Sequence, residues 1–255
     1  MRHTTSATRL RVVTANLRHG LAEPTAFAEL VTKLAPDVVA VQELGAAQAE
    51  ALGRTLPFGL LEPAPLKNGT GMGLLLRRAG RIHRLPLPWV DGLFADVVAG
   101  EGGGEDDRIE VLNVHVTAPQ VQPPWRTFAR RRAQLHGIRR HLEASPRRRR
   151  LVVGDLNATP WWPFYRHLTG RLTDAAVEAA RGNGHRPQAT WGPWPFSPRL
   201  LRIDHVLIQG LDVLRVQVVR ILGSDHSAVV ADLVVPEGAD ARTRSPEGEG
   251  YANLS

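Results

Sequence analysis

The chain has 255 residues, 43% of them hydrophobic and 22% charged, which is enough for a well-buried core and ordinary for a soluble globular protein. It contains no cysteine, so disulfides, zinc–thiolate centres and cysteine nucleophiles are excluded. A formal net charge of +7 points to an anionic partner, but lysine stands only at 33 and 67, so arginine carries the excess and charge alone names no ligand.

Residues 1–8 are polar and expected to be flexible. The opening MRHTTSATRLRVV lacks the apolar run of a signal peptide, and no segment approaches the ~20 apolar residues of a membrane span. A cytoplasmic monomer is expected. Short runs rich in Val, Leu and Ile, bounded by turn residues, predict strands at 10–15, 37–42, 72–77, 94–99, 109–116, 151–154, 203–208, 214–219 and 228–234. Helices are predicted over 24–34, where Pro24 suits a first turn, and over 45–55 and 126–143. The stretch GEGGGEDD, 100–107, reads as a flexible hairpin loop. Arg130 to Arg132, Arg139-Arg140 and Arg147 to Arg150 lie on or just after the third helix, where a solvated face and a phosphate-contacting surface both stay open. No internal repeat is visible. From Pro236 the tail is rich in Gly, Pro, Ser and charge and is expected to be disordered, leaving 9–235 as one domain. Helices alternate with strands early, and later strands follow one another directly. Two packed sheets flanked by helices fit that order better than a purely parallel sheet.

Several strands end in residues that a core strand would not choose. RVVTAN ends at Asn16 and DVVAVQE at Glu43; EVLNVHV carries His115; LVVGDLN delivers Asp155 and Asn157; RIDHVLI begins with Arg202 and Asp204; and LGSDHSAVV places Asp225 and His226 at a strand mouth. Singly, each reads as a cap or turn residue, and Gly-Ser-Asp is good turn chemistry. Together, these strand ends converge better on one polar site held by a rigid sheet. The donors are mostly oxygen, which selects Mg²⁺, Mn²⁺ or Ca²⁺ over zinc. Carboxylates that hold a metal and a water, beside imidazoles facing phosphate oxygens, compose a phosphoester hydrolysis site.

The ordered series TANL, VQE, GMGLLL, NVHVTAP, RRAQL, GDLNATP, ATW, RIDHV and GSDH resembles the endonuclease/exonuclease/phosphatase superfamily, the deoxyribonuclease I-like fold, from Asn16 to about Val234. The resemblance implies an α/β four-layered sandwich, two packed and mostly antiparallel β-sheets flanked by helices, with the site at one edge of the sheets. It implies Glu43 as principal ligand to Mg²⁺ or Mn²⁺, with Asn16 helping and Asp225 touching the metal directly or through water. Asp155 would orient or deprotonate the attacking water, and Asn157 would hydrogen-bond the phosphate. His226 would face the scissile phosphate with Asp204 orienting it, and His115 would be a second imidazole acid. Arg131 and Gln134 match positions on the helix after the His115 strand, where a structural role is the stronger reading. The substrate is a phosphate ester, with nucleic acid, lipid and small-molecule phosphates all open, and a non-catalytic binding module is the rival from another class. Loops 119–127, 161–165 and 191–201 hold Trp125, Trp161, Trp162, Trp191 and Trp194, an aromatic rim suited to stacking bases or touching lipid. Trp125, Trp191, Arg131 and Arg202 are the candidate substrate contacts.

Overall fold

The computed structural model describes residues 8–98, 108–120, 123–145 and 147–236. The readings made for 1–7, the 100–107 loop and the tail beyond Pro236 lie outside the described residues. Strand β1 (Thr8–Asn16), helix α1 (Pro24–Leu34), strand β2 (Val38–Gln42) and helix α2 (Ala46–Leu52) open the fold. Strands β3 (Phe58–Glu62), β4 (Met72–Leu76), β5 (Ile82–Leu85) and β6 (Gly92–Val98) follow. Then come β7 (Arg108–His115), α3 (Pro124–Ala144), β8 (Arg150–Asp155), α4 (Pro163–Thr169), β9 (Thr173–Asp174) and α5 (Ala175–Asn183). Strands β10 (Asp204–Gln209), β11 (Asp212–Arg220) and β12 (Ser227–Val235) close it.

The strands form two six-stranded sheets, ordered β11-β12-β1-β2-β4-β3 and β5-β6-β7-β8-β10-β9. Each holds one parallel pair, β1 with β2 and β7 with β8, joined through α1 and α3; every other pairing is antiparallel. The two halves of the chain therefore repeat one topology, a βαβ unit and two strands, although the sequence shows no repeat. The hairpins that complete the sheets are exchanged. Strands β5 and β6, from the first half, extend the second sheet, and β11 and β12, from the second half, extend the first.

The central strands bury both faces, which is why they read as continuous apolar runs rather than alternating ones. Val12, Val38 and Leu74 of the first sheet meet Leu93, Val111 and Val153 of the second in the core between them. The neighbouring Val13, Val39 and Val41 turn outward onto Phe27 and Val31 of α1 and Leu52 of α2. Leu112, Val114 and Val152 likewise meet Ile138 of α3 and Phe164 and Leu168 of α4. Helix, sheet, sheet and helix stack as the expected sandwich. Helix α1 matches its predicted bounds, with Pro24 in its first turn and Glu23 accepting from the amides of Thr25 and Ala26.

Two expectations are corrected. The later strands are not free of helices: residues 163–165, read as loop, open α4, and α5 follows directly on β9. The arginine runs on and after α3 are not simply a solvated face either. Arg131 is buried in α3, and Arg150 is buried at the start of β8, donating to the Leu142 carbonyl at 2.7 Å and pairing with Glu110 at 3.3 Å.

Helix α5 hangs on one buried carboxylate. Asp174 Oδ1 caps its amides at Ala176 and Val177, while Oδ2 accepts from Arg202 Nη1 at 2.5 Å and Tyr165 Oη at 2.8 Å, with His205 Nδ1 at 3.2 Å. Burial pushes this carboxyl up, but the His205 hydrogen bond and the Arg202 charge outweigh it and hold it well below its ordinary value of 3.8. A depressed folded value makes the stabilisation complete above about pH 4, lost only as pH falls from there through the folded value. Asp174→Asn keeps the cap but leaves the Arg202 charge buried without its partner, and should cost ~3 kcal/mol in urea unfolding at pH 7. The difference from native should shrink as pH drops below about 4; a pH-independent difference would show that the carboxylate charge is not what holds the network.

Candidate active site

The ends of the two parallel pairs lie at one edge of the sandwich and present four polar residues. Asn16 ends β1 opposite Gln42, and Glu43 comes directly after β2. His115 ends β7 in register with Asp155, the last residue of β8. Antiparallel neighbours add two more. Asp204 opens β10 opposite Asp155, and His226 immediately precedes β12. Beneath them the sheets are clamped together: Gln42 Nε2 donates to Asn113 Oδ1 at 2.7 Å, and Asn113 Nδ2 donates to the carbonyls of Val41 and Gly73. These buried amides stand one and two residues before Glu43 and His115, so the clamp sets the spacing of the two sheet ends.

Glycine permits the local turns. Glu43 has a φ of 54°, and a Cβ on Gly71 would lie 1.9 Å from the Leu44 carbonyl, so only glycine lets the segment after Glu43 pack there. Gly154, just before Asp155, has a φ of 132° and would meet the Val114 carbonyl at 2.0 Å, which keeps β7 and β8 close where both ends carry site residues.

The predicted residues meet. Asn16 Nδ2 donates at 3.0 Å to both Glu43 Oε1 and Asp155 Oδ2. His115 Nε2 lies 3.5 Å from Glu43 Oε1 and 3.8 Å from Asp155 Oδ2. His226 Nδ1 sits 2.9 Å from Asp204 Oδ2, which leaves Nε2 facing Asp155 Oδ2 at 3.9 Å. Ser224 ties this corner together, donating to the Asn16 carbonyl at 2.9 Å and accepting from the His226 amide at 3.0 Å.

The electrostatics follow from crowding in a dry place. Burial raises the Asp155 carboxyl, and the negative charges of Asp204 and Glu43 raise it further against the pull of His226. Burial alone would strip His226 of its proton, but Asp204, then Asp155 and Asp225, hold it protonated well above the ordinary imidazole range. Burial pushes the His115 imidazole below its ordinary range despite the pull of Glu43. For Glu43, burial pushes upward, but the hydrogen bonds and charges of His19, His115 and Asn16 bring the carboxyl down to about 2. Glu43, His115 and Asp155 each offer a ligand atom within 4.8 Å of the others, as do Asp155, Asp204 and His226. Hard carboxylate oxygens and one imidazole, with like charges crowded between them, suit a small divalent cation.

Other expected residues stand differently. Asn157 spends its amide nitrogen within the protein: Nδ2 donates to Asp155 Oδ2 and to the Val116 carbonyl, both at 3.0 Å, so it orients Asp155 rather than presenting a free donor to a phosphate. Asn16 likewise turns its nitrogen, not its oxygen, toward the carboxylates; its Oδ1 accepts from the Arg18 amide. Asp225 lies outside both ligand clusters, 3.3 Å from Trp191 Nε1 and 3.9 Å from Arg18 Nε. Arg131 donates to the carbonyls of Thr117 and Leu156 and lies over the Trp162 and Phe164 rings, while Arg202 is spent on Asp174 and Tyr165; both are corrected from substrate contacts to supports. Trp125 is exposed at the start of α3. Gln134, as expected, is structural, accepting from the Thr117 amide at 3.0 Å.

Sequence reasoning missed His19, whose Nδ1 is 2.9 Å and whose amide is 2.5 Å from Glu43 Oε2. It also missed Trp89, 5.7 Å from the His115 ring, and Arg199, which holds the carbonyls of Ser224 and His226 at 3.1 and 2.9 Å. The dense turn in NLRHG, directly after a strand ending in Asn, was the available signal for His19.

The chain belongs to the endonuclease/exonuclease/phosphatase family, whose model matches residues 13–226. Members of this family hydrolyse phosphoesters and include nucleases and phosphatases. Three solved structures illustrate the fold. An endonuclease/exonuclease/phosphatase from Beutenbergia cavernae is 23% identical, with a TM-score of 0.62 over 89% of this chain and 72% of that one. A mannosyl-6-phosphatase from Bacteroides thetaiotaomicron is 16% identical, with a TM-score of 0.64 over 88% and 99%. D. rerio TDP2 complexed with a single-stranded DNA product is 17% identical, with a TM-score of 0.63 over 88% and 98%. No curated protein matches the chain.

Asn16→Asp tests the cation site without any substrate. It replaces the donor between Glu43 and Asp155 with a third carboxylate, and should cost ~1–3 kcal/mol in chelator. Added Mg²⁺ should then raise the melting temperature of the variant more than that of the native chain. A variant that ignores Mg²⁺ would argue that no cation binds between these carboxylates.

Proposed function

We propose that this protein is a divalent-cation-dependent hydrolase that cleaves a phosphoester bond by in-line attack of water. The observation that carries this reading is the meeting of Glu43, Asp155, His115 and the Asp204–His226 pair in one buried cluster. Glu43, with Asp155 and His115 in reach, would hold a Mg²⁺ or Mn²⁺ ion, which would supply positive charge for the phosphate oxygens and favour ionisation of a bound water. Asp155 receives the proton of the attacking water; burial beside Asp204 makes it a stronger base than a surface aspartate. The water oxygen bonds to phosphorus as the phosphorus–ester oxygen bond breaks. His226, fixed through Nδ1 by Asp204, presents a protonated Nε2 to the phosphate and its leaving oxygen. His115 is the second imidazole at this edge, its Nε2 turned toward Glu43 and Asp155. Asn16, Asn157 and His19 hold the two carboxylates in place.

A nuclease is the specific alternative, supported by Arg126 and Arg132 exposed on α3 and by the likeness to TDP2 with its DNA product. Plasmid, single-stranded oligonucleotides and a panel of phosphate esters, offered side by side, separate the substrate classes.

Activity on any of these should require Mg²⁺ or Mn²⁺ and vanish in EDTA; full turnover after thorough chelation would overturn the metal role. Glu43→Gln should shift the Mg²⁺ requirement upward and recover part of its rate at high Mg²⁺, because it weakens a ligand without removing a proton donor.

The Asp204–His226 pair should behave as a unit. His226→Ala should cost orders of magnitude in kcat, Asp204→Ala somewhat less, and the double variant little more than His226→Ala alone. Strictly additive losses would return Asp204 to a purely structural place.

A further inference from the structure

Large apolar side chains exposed on this protein gather around the candidate site. Trp89, Trp125, Phe128, Trp161, Trp194 and Phe196 are all exposed, Trp161 by 88%, Phe196 by 82% and Trp125 by 72%. Each lies on a segment that reaches the site edge. Trp89 stands against His115. Trp125 and Phe128 open α3, just beyond β7, and Trp161 lies between Asp155 and α4. Trp194 and Phe196 crown a loop pinned beside His226: its Gly192 amide donates to the Asp225 carbonyl at 3.1 Å, and its Arg199 grips the Ser224 and His226 carbonyls. Leucines 21, 66, 200 and 222 extend the apolar tips around the same edge, on the loops after β1, before β4, beside Trp191 and before Asp225. Among the described residues, Phe58 and Leu214 are the large hydrophobics exposed away from this edge, on the outermost strands β3 and β11.

The charge of these segments is one-sided. Segments 116–132, 156–172 and 184–203 contain no aspartate or glutamate, while Arg126, Arg130, Arg132, Arg166 and Arg186 interleave with the aromatics. Arg130 lies over the Trp89 ring at 5.6 Å. Indole and phenyl tips exposed beside guanidinium groups on these three acid-free segments match the chemistry of an anionic membrane surface: the rings settle at the interface and the arginines meet lipid phosphates, while Asp91, Glu23 and Asp225 stand on the remaining loops of the edge. A single-stranded nucleic acid would use the same arginines and ring faces, but it gains nothing from four leucine tips, because bases stack on flat π-surfaces.

We infer that this ring docks the protein on anionic phospholipid membranes, with the candidate site turned toward the bilayer. The inference deepens the phosphoester-hydrolase reading by placing its substrate at a membrane surface, and it rests on that reading only for what the docked site does.

Cosedimentation of the full chain with phosphatidylcholine vesicles, with and without phosphatidylglycerol, tests it. The native chain should pellet with the phosphatidylglycerol vesicles and about tenfold less with phosphatidylcholine alone. The W161S/F196S variant, which replaces two solvent-exposed side chains, should partition about tenfold more weakly, keep the native circular-dichroism spectrum and still turn over soluble bis(p-nitrophenyl) phosphate. A native chain left in the supernatant, or a variant that pellets equally well, overturns the docking surface. So does a variant that loses binding to an oligothymidylate while keeping its vesicle binding, which would assign the ring to nucleic acid. Vesicle binding without any Mg²⁺-dependent turnover of the soluble diester, of p-nitrophenyl phosphate or of the phosphate-ester panel would instead overturn the phosphoester reading and leave the docking surface standing.

Discussion

Three carboxylates, Glu43, Asp155 and Asp204, are buried within one small region, and the rest of the site is arranged to make that tolerable. Isolated carboxylates resist burial strongly, and like charges at close range resist it further. Asn16 places one amide group between two of them, His19 and the turn it sits on satisfy the outer oxygen of Glu43, and His226 lies between Asp204 and Asp155. The compensation is donor by donor. What it leaves is a buried cluster of carboxylates and imidazoles whose ligand atoms lie close enough together to hold a metal ion.

The sheets supply the rigidity this arrangement needs. Two βαβ units end their parallel strands at the same edge, so each contributes a pair of site residues from adjacent strand ends, Asn16 with Glu43 and His115 with Asp155. The Gln42–Asn113 clamp keeps the two edges from sliding. Below the clamp the space between the sheets is aliphatic and close-packed, which transmits any change of spacing directly to the site.

The candidate site was legible in the sequence because its residues break a rule: polar groups end apolar runs, and six such breaks are hard to assign to six separate turns. The central strands were legible for the same reason, being buried on both faces. What escaped was set by context. Strand β3, FGLLE, is partly exposed and has no alternation to betray it, and β9 is two residues long. Helix α5 had its signals, Asp174 as cap and Gly184 beyond its end, but lies among later strands that suggested none. Arg202 looked like a phosphate contact, and Arg131 kept that reading beside its stronger structural one, because sequence gives a guanidinium its charge and not its neighbours; only packing reveals that carbonyls, Asp174 and aromatic rings already occupy them. His19 and Arg199 act through a backbone turn and a loop crossing, contacts with no period to read.

The exchanged hairpins carry a consequence for how the molecule comes into being. In the first sheet β1 pairs with β12 from Thr8, opposite Val235, to Thr14, opposite Val229, so its earliest strand waits for nearly the last residues of the fold. During synthesis from the N-terminus, β1 and β2 can already pair, but the open edge of β1 stays unsatisfied until β11 and β12 emerge. The second sheet has the opposite schedule, since β5 and β6 are present before β7 needs them. Closure of the first sheet therefore also brings Ser224 and His226 to Asn16, and the site is completed by the same late event that seals the fold. A ribosome-bound chain lacking its final strands would carry most of the carboxylates without the imidazole that answers them.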